Sequence, residues 1–189
     1  RVAHETNLAD DWDSLETPSW NPTGTKLAVI RTKYDADYNV TGSNITDLKV
    51  NTQVSSVHPN TSKTITCFQY ARLGNRYCYV IMDPSRPDAT DSSIMVGTVG
   101  GAEMDLLQGT PTAQFADDVS GPSFSPNGDR IVYCSGYSAL KVIPSTGGTS
   151  SNLGTGATGY GPVWAPVGNH VAYFGNDDRL YVTAVGGAS

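Results

Sequence analysis

The chain has 189 residues, and its 18 acidic against 12 basic residues give a formal net charge of −6. This charge disfavours a nucleic-acid partner, because binding to phosphates needs a basic patch. The sequence contains no run of 18 apolar residues, which argues against a membrane-spanning helix within it. Its 20 glycines and 11 prolines lie with Thr, Ser, Asn and Asp between short apolar runs, a composition typical of short strands joined by turns.

The first predicted unit covers about residues 18–66. Trp20 stands four positions before Gly24 in the segment PSWNPTGTKLAVI. Asn-Pro-Thr-Gly is a turn sequence, because proline presets φ and glycine accepts a positive φ. Apolar residues alternate after this turn, which predicts a β-hairpin. The segment DLKV (47–50) predicts a third strand with the same alternation.

Three further units repeat this pattern, over about residues 67–120, 121–160, and 161–189 together with 1–10. Their hairpin segments are FQYARLGNRYCYVI, PSFSPNGDRIVYC and PVWAPVGNHVAYF. The third-strand segments that follow are SIMV (93–96), ALKV (139–142) and RLYV (179–182). A fourth strand is predicted near Leu106-Leu107 and near Asn152-Leu153.

Four-stranded units that recur about every 40–50 residues are the sequence signature of β-propeller blades. The expected fold class is therefore all-β, a β-propeller made of four four-stranded blade units. A β-sandwich with chance similarity between its hairpins is the alternative. One aromatic residue before each turn is expected to pack between neighbouring sheets: Trp20, Tyr70, Phe124 and Trp164.

At these hairpins the chain resembles the TolB-type β-propeller repeat, a relative of the WD repeat. The core of that repeat is similar to P-x-W-S-P-D-G followed by a strand, and PSWNPTG, PSFSPNG and PVWAPVG match it. The aspartate before the turn glycine is replaced by Thr23, Asn127 or Val167, so any role of that carboxylate is lost. The resemblance implies a protein-interaction platform, a scaffold in envelope complexes, or a non-catalytic gate on a serine peptidase.

The last unit ends soon after its third strand, and the chain begins with a short apolar stretch within Arg1–Leu8. A strand from one terminus commonly completes the blade at the other terminus of a propeller, so Arg1–Leu8 is expected to fill this place. Three arrangements stay open. The chain closes as a four-bladed ring, it is part of a larger propeller, or its terminal strand completes the next molecule in a fibre.

The cysteines and the N-glycosylation sequons bear on the cellular compartment of the protein. Cys67 and Cys78 flank the second turn, so they either form a disulfide across the hairpin or stay as two buried thiols, with Cys134 as a free thiol. Three possible N-glycosylation sites cluster in a polar stretch: Asn39, Asn44 and Asn60. With the low lysine content, this cluster favours an extracellular or periplasmic protein.

Residues that could carry chemistry are scattered along the chain. His4, His58 and His170 lack metal-ligand spacing. Residues 35–39 begin like a calcium loop, but valine stands at the required glycine, so a solvated loop is expected. Three acidic pairs are interpreted as turn residues that could also gather a cation at the mouth of a propeller: Asp10-Asp11, Asp117-Asp118 and Asp177-Asp178.

No nucleophile elbow, phosphate loop or dinucleotide fingerprint is present, so no catalytic, cofactor-binding or metal residue is assigned. The expected function is a non-catalytic extracellular module that binds a protein partner or itself, with possible glycans. Two alternatives stay open: a self-assembling fibre subunit that exchanges its terminal strand, and an accessory propeller of a larger hydrolase or lyase. A glycoside hydrolase would need two carboxylates at a fixed separation, which sequence spacing does not reveal.

Overall fold

The computed structural model describes residues 14–49, 55–83, 92–107, 119–136, 139–157 and 161–186, without the side chains of residues 55–60. These residues form fifteen strands and no helix, so the predicted all-β class is confirmed. A helix long and apolar enough to cross a membrane is accordingly absent from these segments. The strands form four separate antiparallel sheets, each built from consecutive strands.

The four sheets follow one another along the chain. Sheet I contains β1 (Ser14–Trp20), β2 (Lys26–Tyr34), β3 (Val40–Lys49) and β4 (Ser55–Thr61). Sheet II contains β5 (Thr64–Tyr70), β6 (Arg76–Met82), β7 (Ser92–Thr98) and β8 (Glu103–Asp105). Sheet III contains β9 (Val119–Phe124), β10 (Arg130–Ser135), β11 (Ala139–Pro144) and β12 (Ser151–Thr155). Sheet IV contains β13 (Val163–Trp164), β14 (His170–Phe174) and β15 (Leu180–Ala184).

The turn between the first two strands of each sheet has the geometry that the sequence predicts. Its glycine has a positive φ of 66° to 77° in all four sheets, at residues 24, 74, 128 and 168. In sheet I the Asn21 side chain accepts hydrogen bonds from the main-chain N–H groups of Thr25 and Lys26, both at 2.9 Å. A residue with a Cβ atom would strain this turn, because its left-handed backbone conformation is open mainly to glycine.

A bulge in the first strand of sheets I, II and III is a repeated feature that the sequence analysis missed. The register shifts between Glu16 and Ser19, and corresponding shifts occur in β5 and β9. The bulge residues Thr17, Cys67 and Gly121 all have positive φ. A bulge of this kind bends the strand and increases its twist.

The hydrophobic core consists of three layers, each between two successive sheets. Between sheets I and II lie Ala28, Ile30, Ile45, Ile65, Phe68, Tyr70, Tyr77 and Tyr79. The layer between sheets II and III includes Cys78, Val80, Ile94, Val96, Phe124, Ile131, Tyr133 and Ile143. Between sheets III and IV lie Val132, Cys134, Leu140, Val142, Trp164 and Val171. The sheets therefore stack face to face in chain order.

Three of the four predicted core aromatics are buried. Tyr70, Phe124 and Trp164 are 5%, 4% and 2% exposed, and each packs against the sheet that precedes its own. Trp20 is 56% exposed, so its prediction as a core residue is wrong. The physical reason is its place in the first sheet, which has no preceding sheet among the described residues.

The predicted strand that completes the last unit lies at residues 1–8, outside the described part of the chain. Ring closure within one chain and terminal-strand exchange therefore stay predictions. The sequence predicted a fourth strand in sheets II and III. In sheet II this strand is β8, which ends just before Leu106-Leu107, and in sheet III it is β12, which includes Asn152-Leu153. Sheet II begins at Thr64, ahead of the predicted start at residue 67, because its first strand also includes residues before the repeated motif.

Replacing Trp164 by alanine should lower the free energy of unfolding by about 3–5 kcal/mol, since truncating a buried indole leaves a cavity. The indole Nε1 of Trp164 is buried without a hydrogen-bond partner in the described structure. Trp164→Phe should therefore cost less than Trp164→Ala, because it keeps an aromatic ring in the core and removes an unpaired polar group. Urea unfolding followed by circular dichroism measures both changes. Leu73→Ala, at an exposed turn, is the control. Equal urea midpoints for Leu73→Ala and Trp164→Ala would contradict the burial of Trp164 against sheet III.

Candidate functional site

The junctions between sheets carry a repeated polar contact in addition to the apolar layer. The guanidinium of Arg76 in β6 lies 5.6 Å from the centroid of the Phe124 ring in sheet III. It donates hydrogen bonds to the main-chain oxygens of Gly128 and Ser145 at 2.9 and 2.8 Å. One side chain therefore joins the aromatic residue and the turn of the next sheet.

Arg130 makes the same contact one sheet further on. Its guanidinium lies 5.2 Å from the Trp164 ring and donates to the main-chain oxygen of Gly186 at 3.2 Å. Both arginines stand two residues after the turn glycine, and Lys26 and His170 hold this position in sheets I and IV. We call these four residues the junction residues: Lys26, Arg76, Arg130 and His170.

A network of tyrosines and carboxylates lies at the junction of sheets I and II. The Tyr70 hydroxyl donates to the buried carboxylate of Asp47, whose other oxygen lies 3.4 Å from the Lys26 ammonium. The hydroxyls of Tyr77 and Tyr79 donate to Glu103 at 2.6 and 2.9 Å. This arrangement stabilises the junction, because buried polar groups that are hydrogen-bonded do not carry the desolvation penalty of unpaired ones.

A shallow cleft opens on sheet IV beside the predicted Asp177-Asp178 pair. Its volume is about 330 Å³, and it is lined by Thr155, Gly156, Tyr173, Gly175, Asn176, Asp177 and Tyr181. The rings of Tyr173 and Tyr181 stack at 5.6 Å, and the Tyr181 hydroxyl donates to Asp177 at 2.9 Å. Asp177 also lies 3.6 Å from the Arg179 guanidinium, so its charge is already matched within the turn.

The opposite side of sheet IV is an exposed apolar surface. Pairing of β13 with β14 and of β14 with β15 places seven side chains on one face, two of which are His170 and Ala184. We call the other five the open face: Val163, Ala172, Phe174, Leu180 and Val182. Four of them are large and exposed, from 44% for Phe174 to 66% for Val182. In sheets I, II and III the corresponding face is covered by the following sheet.

The predicted glycosylation sites have different surroundings. Asn39 is exposed at the β2–β3 hairpin. Asn44 is only 5% exposed in the middle of β3, and its side-chain oxygen accepts a hydrogen bond from Thr46 of its own sequon. Because a glycan needs room around the amide nitrogen, a glycan on Asn44 is incompatible with this packing. Asn60 lies in β4, and its side chain is outside the described part.

Of the two arrangements expected for Cys67 and Cys78, the structure has two separate thiols rather than a disulfide. Cys134 likewise forms no disulfide in the described part of the chain. The bulge at Cys67 shifts the register so that Gln69, rather than Cys67, lies opposite Cys78. Burial raises the pKa of the Cys78 thiol and raises that of Cys134 to about 11.

The remaining candidate site residues that the structure describes lie in turns or at the surface. The Asp35 carboxylate accepts hydrogen bonds from the main-chain N–H groups of Asp37 and Asn39, both at 2.9 Å, and these bonds lower its pKa. It thus closes the β2–β3 hairpin. His170 is exposed in β14. Outside the described side chains lie His4, His58, Asp10-Asp11 and Asp117-Asp118. Among the described residues no three His, Cys, Asp or Glu side chains gather as metal ligands.

Comparisons with known proteins show likeness in fold. No family model matches the sequence, and no curated protein matches it. Among solved structures, the chain is similar to an oligogalacturonate lyase in complex with manganese, at 14% identity and a TM-score of 0.69 over 93% of this chain and 51% of that one. It is similar to TolB from Acinetobacter baumannii at 14% identity and a TM-score of 0.56, over 91% of this chain and 54% of that one.

A third similar structure is the computationally designed Ika4 protein, at 15% identity and a TM-score of 0.63, covering 98% of this chain and all of that one. The chain thus spans about half the length of the lyase and of TolB, and the whole of Ika4. Likeness to TolB supports the resemblance that the hairpin motifs indicate. At these identities the comparisons show the fold of the chain.

Alkaline pH should destabilise the protein through the tyrosine network. Burial, first, and the neighbouring carboxylates, second, raise the pKa of Tyr70, Tyr77 and Tyr79 above the ordinary value. Above about pH 10 the unfolded phenols lose their protons while the native ones keep them, so the free energy of unfolding falls as pH rises.

Ultraviolet absorbance of phenolate, recorded beside circular dichroism during an alkaline titration, measures this effect. The three phenols should ionise only as the protein unfolds. Tyr70→Phe should make the loss of stability with pH shallower, because one linked proton is removed. Smooth ionisation of every tyrosine while the fold persists would contradict the network.

The thiols should react according to their burial. Ellman's reagent at pH 8 should label Cys78 and Cys134 slowly in the native protein, since burial both hides the sulfur and disfavours the thiolate. After unfolding without reductant, all three cysteines should react. A single reactive thiol per unfolded chain would demonstrate the disulfide that the structure lacks.

Proposed function

We propose that the four sheets are blades of a β-propeller that functions as a non-catalytic protein-interaction or structural module outside the cytoplasm. The observation that carries the proposal is the open face of sheet IV, where Val163, Leu180 and Val182 are each at least 60% exposed. Contiguous exposed apolar surface of this kind marks an interaction site, because water contact with it is unfavourable. The location follows from the sequon-rich stretch around the exposed Asn39 and is tested separately by the intact mass of the native protein.

The stacked architecture supports an interaction role. Sheets II and III each use one face to contact the sheet before them and the other to contact the sheet after them. The open face of sheet IV corresponds to the face that contacts a following sheet in the other three, so its shape suits a packed neighbour. Asp47 and Glu103 are held by hydrogen bonds to tyrosines inside the molecule. The open face, in contrast, presents the apolar side chains of Val163, Leu180 and Val182 to a partner.

A photo-crosslinking experiment in the native source tests this proposal. p-Benzoylphenylalanine at position 182 should crosslink to a protein, because the side chain points from the open face. The matched control is position 38, which is 87% exposed at the β2–β3 hairpin and should remain without a specific crosslink. Specific crosslinks from neither position, or from position 38 alone, would overturn the assignment of the open face as the interaction site.

A second candidate function is an accessory propeller of a larger hydrolase or lyase. It is favoured by the similarity to the oligogalacturonate lyase, of which this chain spans 51%. The intact mass of the polypeptide from its native source distinguishes the candidates, because an accessory propeller would be part of a chain with a hydrolase or lyase domain beyond the 20.0 kDa of this sequence. Incubation of the purified 189-residue protein with oligogalacturonate and Mn²⁺ tests separately whether this chain is itself catalytic, with ultraviolet absorbance of the unsaturated product as the readout. We expect no turnover, and turnover that disappears when an Asp or Glu side chain is removed would contradict the non-catalytic module.

A further inference from the structure

The cleft between sheets III and IV is a surface distinct from the open face. Tyr173 and Tyr181 pair across β14 and β15, and their rings lie on the side of sheet IV opposite Val182, because consecutive residues of a strand point to opposite faces. Thr155 at the end of β12 and Gly156 form the wall that sheet III contributes. A ligand in the cleft would therefore leave the open face uncovered.

Main-chain contacts between the two sheets fix the shape of the cleft. The N–H of Asn176 donates to the oxygen of Gly156 at 2.7 Å, and Ala157 pairs with Gly175 in an isolated β-bridge. A Cβ atom at position 175 would lie 2.5 Å from Cε2 of Tyr181, so the glycine leaves room for this ring. The cleft is thus formed by the fold itself, as binding sites usually are.

The polar groups of the cleft suit an uncharged ligand that carries hydroxyls. The hydroxyls of Thr155 and Tyr173 have no hydrogen-bond partner among the described residues, and a hydroxyl can both donate and accept. The Asp177 carboxylate accepts from the Tyr181 hydroxyl at 2.9 Å and lies 3.6 Å from the Arg179 guanidinium. Its charge is therefore matched, and none of the residues that line the cleft is basic.

The two tyrosine rings form a flat wall rather than a cage. The planes of Tyr173 and Tyr181 are 23° apart, with 5.6 Å between the ring centroids. A quaternary ammonium ligand is recognised by several aromatic faces that surround the cation. Nearly parallel rings instead give one extended apolar surface, which matches the flat C–H face of a pyranose.

We propose that this cleft binds one residue of a neutral glycan. The C–H face of the pyranose packs on the tyrosine rings, and its hydroxyls donate to Asp177 and form hydrogen bonds with Thr155 and Tyr173. The volume of about 330 Å³ is at the small end of the range for ligand pockets, so a shallow cleft of this size holds a single sugar while the rest of the glycan stays in solvent. An acidic sugar is disfavoured, because Asp177 and the net charge of −6 would repel it.

Glycan binding goes beyond the proposed protein-interaction role and uses the other side of sheet IV. The two therefore fail independently. A missing crosslink at position 182 would leave the cleft and its ligand unaffected, and a missing sugar signal would leave the open face as the protein-interaction site.

Saturation-transfer difference NMR with the purified chain tests the proposal. The neutral probes are maltotriose, cellotriose and mannotriose, the acidic probe is trigalacturonate, and the cationic probe is choline. At least one neutral trisaccharide should bind with a dissociation constant of about 1 mM, as expected for one sugar in a shallow site. Its ring C–H protons should receive the largest saturation, because they face the tyrosines.

Three variants place the binding in the cleft. Tyr181→Ala should raise the dissociation constant at least about tenfold, because it removes one of the two rings. Gly175→Ala should also weaken binding, since its methyl group displaces the Tyr181 ring. Tyr38→Ala removes a tyrosine that is 87% exposed outside the cleft, and this matched control should bind like the wild type. Circular dichroism verifies that each variant is folded.

The other outcomes would overturn the proposal. If none of the neutral trisaccharides binds, or if Tyr181→Ala binds them as the wild type does, the cleft is not a site for neutral sugars. If trigalacturonate or choline binds in their place and Tyr181→Ala abolishes the signal, the cleft takes a charged ligand and the neutral class is wrong.

Discussion

The burial of one aromatic side chain per sheet against the preceding sheet is the contact on which the rest of the structure depends. A four-stranded meander has two faces and no core of its own, so it is stable only when neighbours cover it. Tyr70, Phe124 and Trp164 each supply the largest apolar side chain at the start of their sheet, on the strand nearest the preceding one. Each addition of a sheet therefore creates the surface on which the next one packs.

Apolar burial alone is non-directional, and the arginines give the stack its orientation. Arg76 and Arg130 reach across their junctions to main-chain oxygens of the next sheet, at turn or loop positions such as Gly128 and Gly186. A planar guanidinium can donate to several acceptors only in a narrow range of geometries, so these contacts select one alignment of neighbouring sheets. Sheets I and II use Lys26, Asp47 and Tyr70 for the same purpose.

The stability of the folded chain and its binding to a partner are linked through the exposed open face. The faces between successive sheets are covered within the chain, while the open face of sheet IV is exposed in the described structure. Any partner that binds the open face stabilises the folded chain by mass action. The proposed function thus uses the same physical interaction that holds the four sheets together.

The sequence alone determined the features that arise from local chemistry. The turn glycines, the alternating apolar residues and the recurring aromatic position identified the strands, because backbone conformation at a turn and the two-residue period of a strand depend on neighbours in sequence. The likeness to TolB in the solved structures agrees with that interpretation.

Only the tertiary structure decided which of these positions are covered. Trp20 fits the motif as well as Trp164 does, yet it is 56% exposed, because the described part of the chain places no sheet before its own. The bulge at Cys67 places Gln69 opposite Cys78, and the packing of sheets I and II joins Tyr70 to Asp47. Such outcomes depend on contacts between distant residues, which a local pattern does not encode.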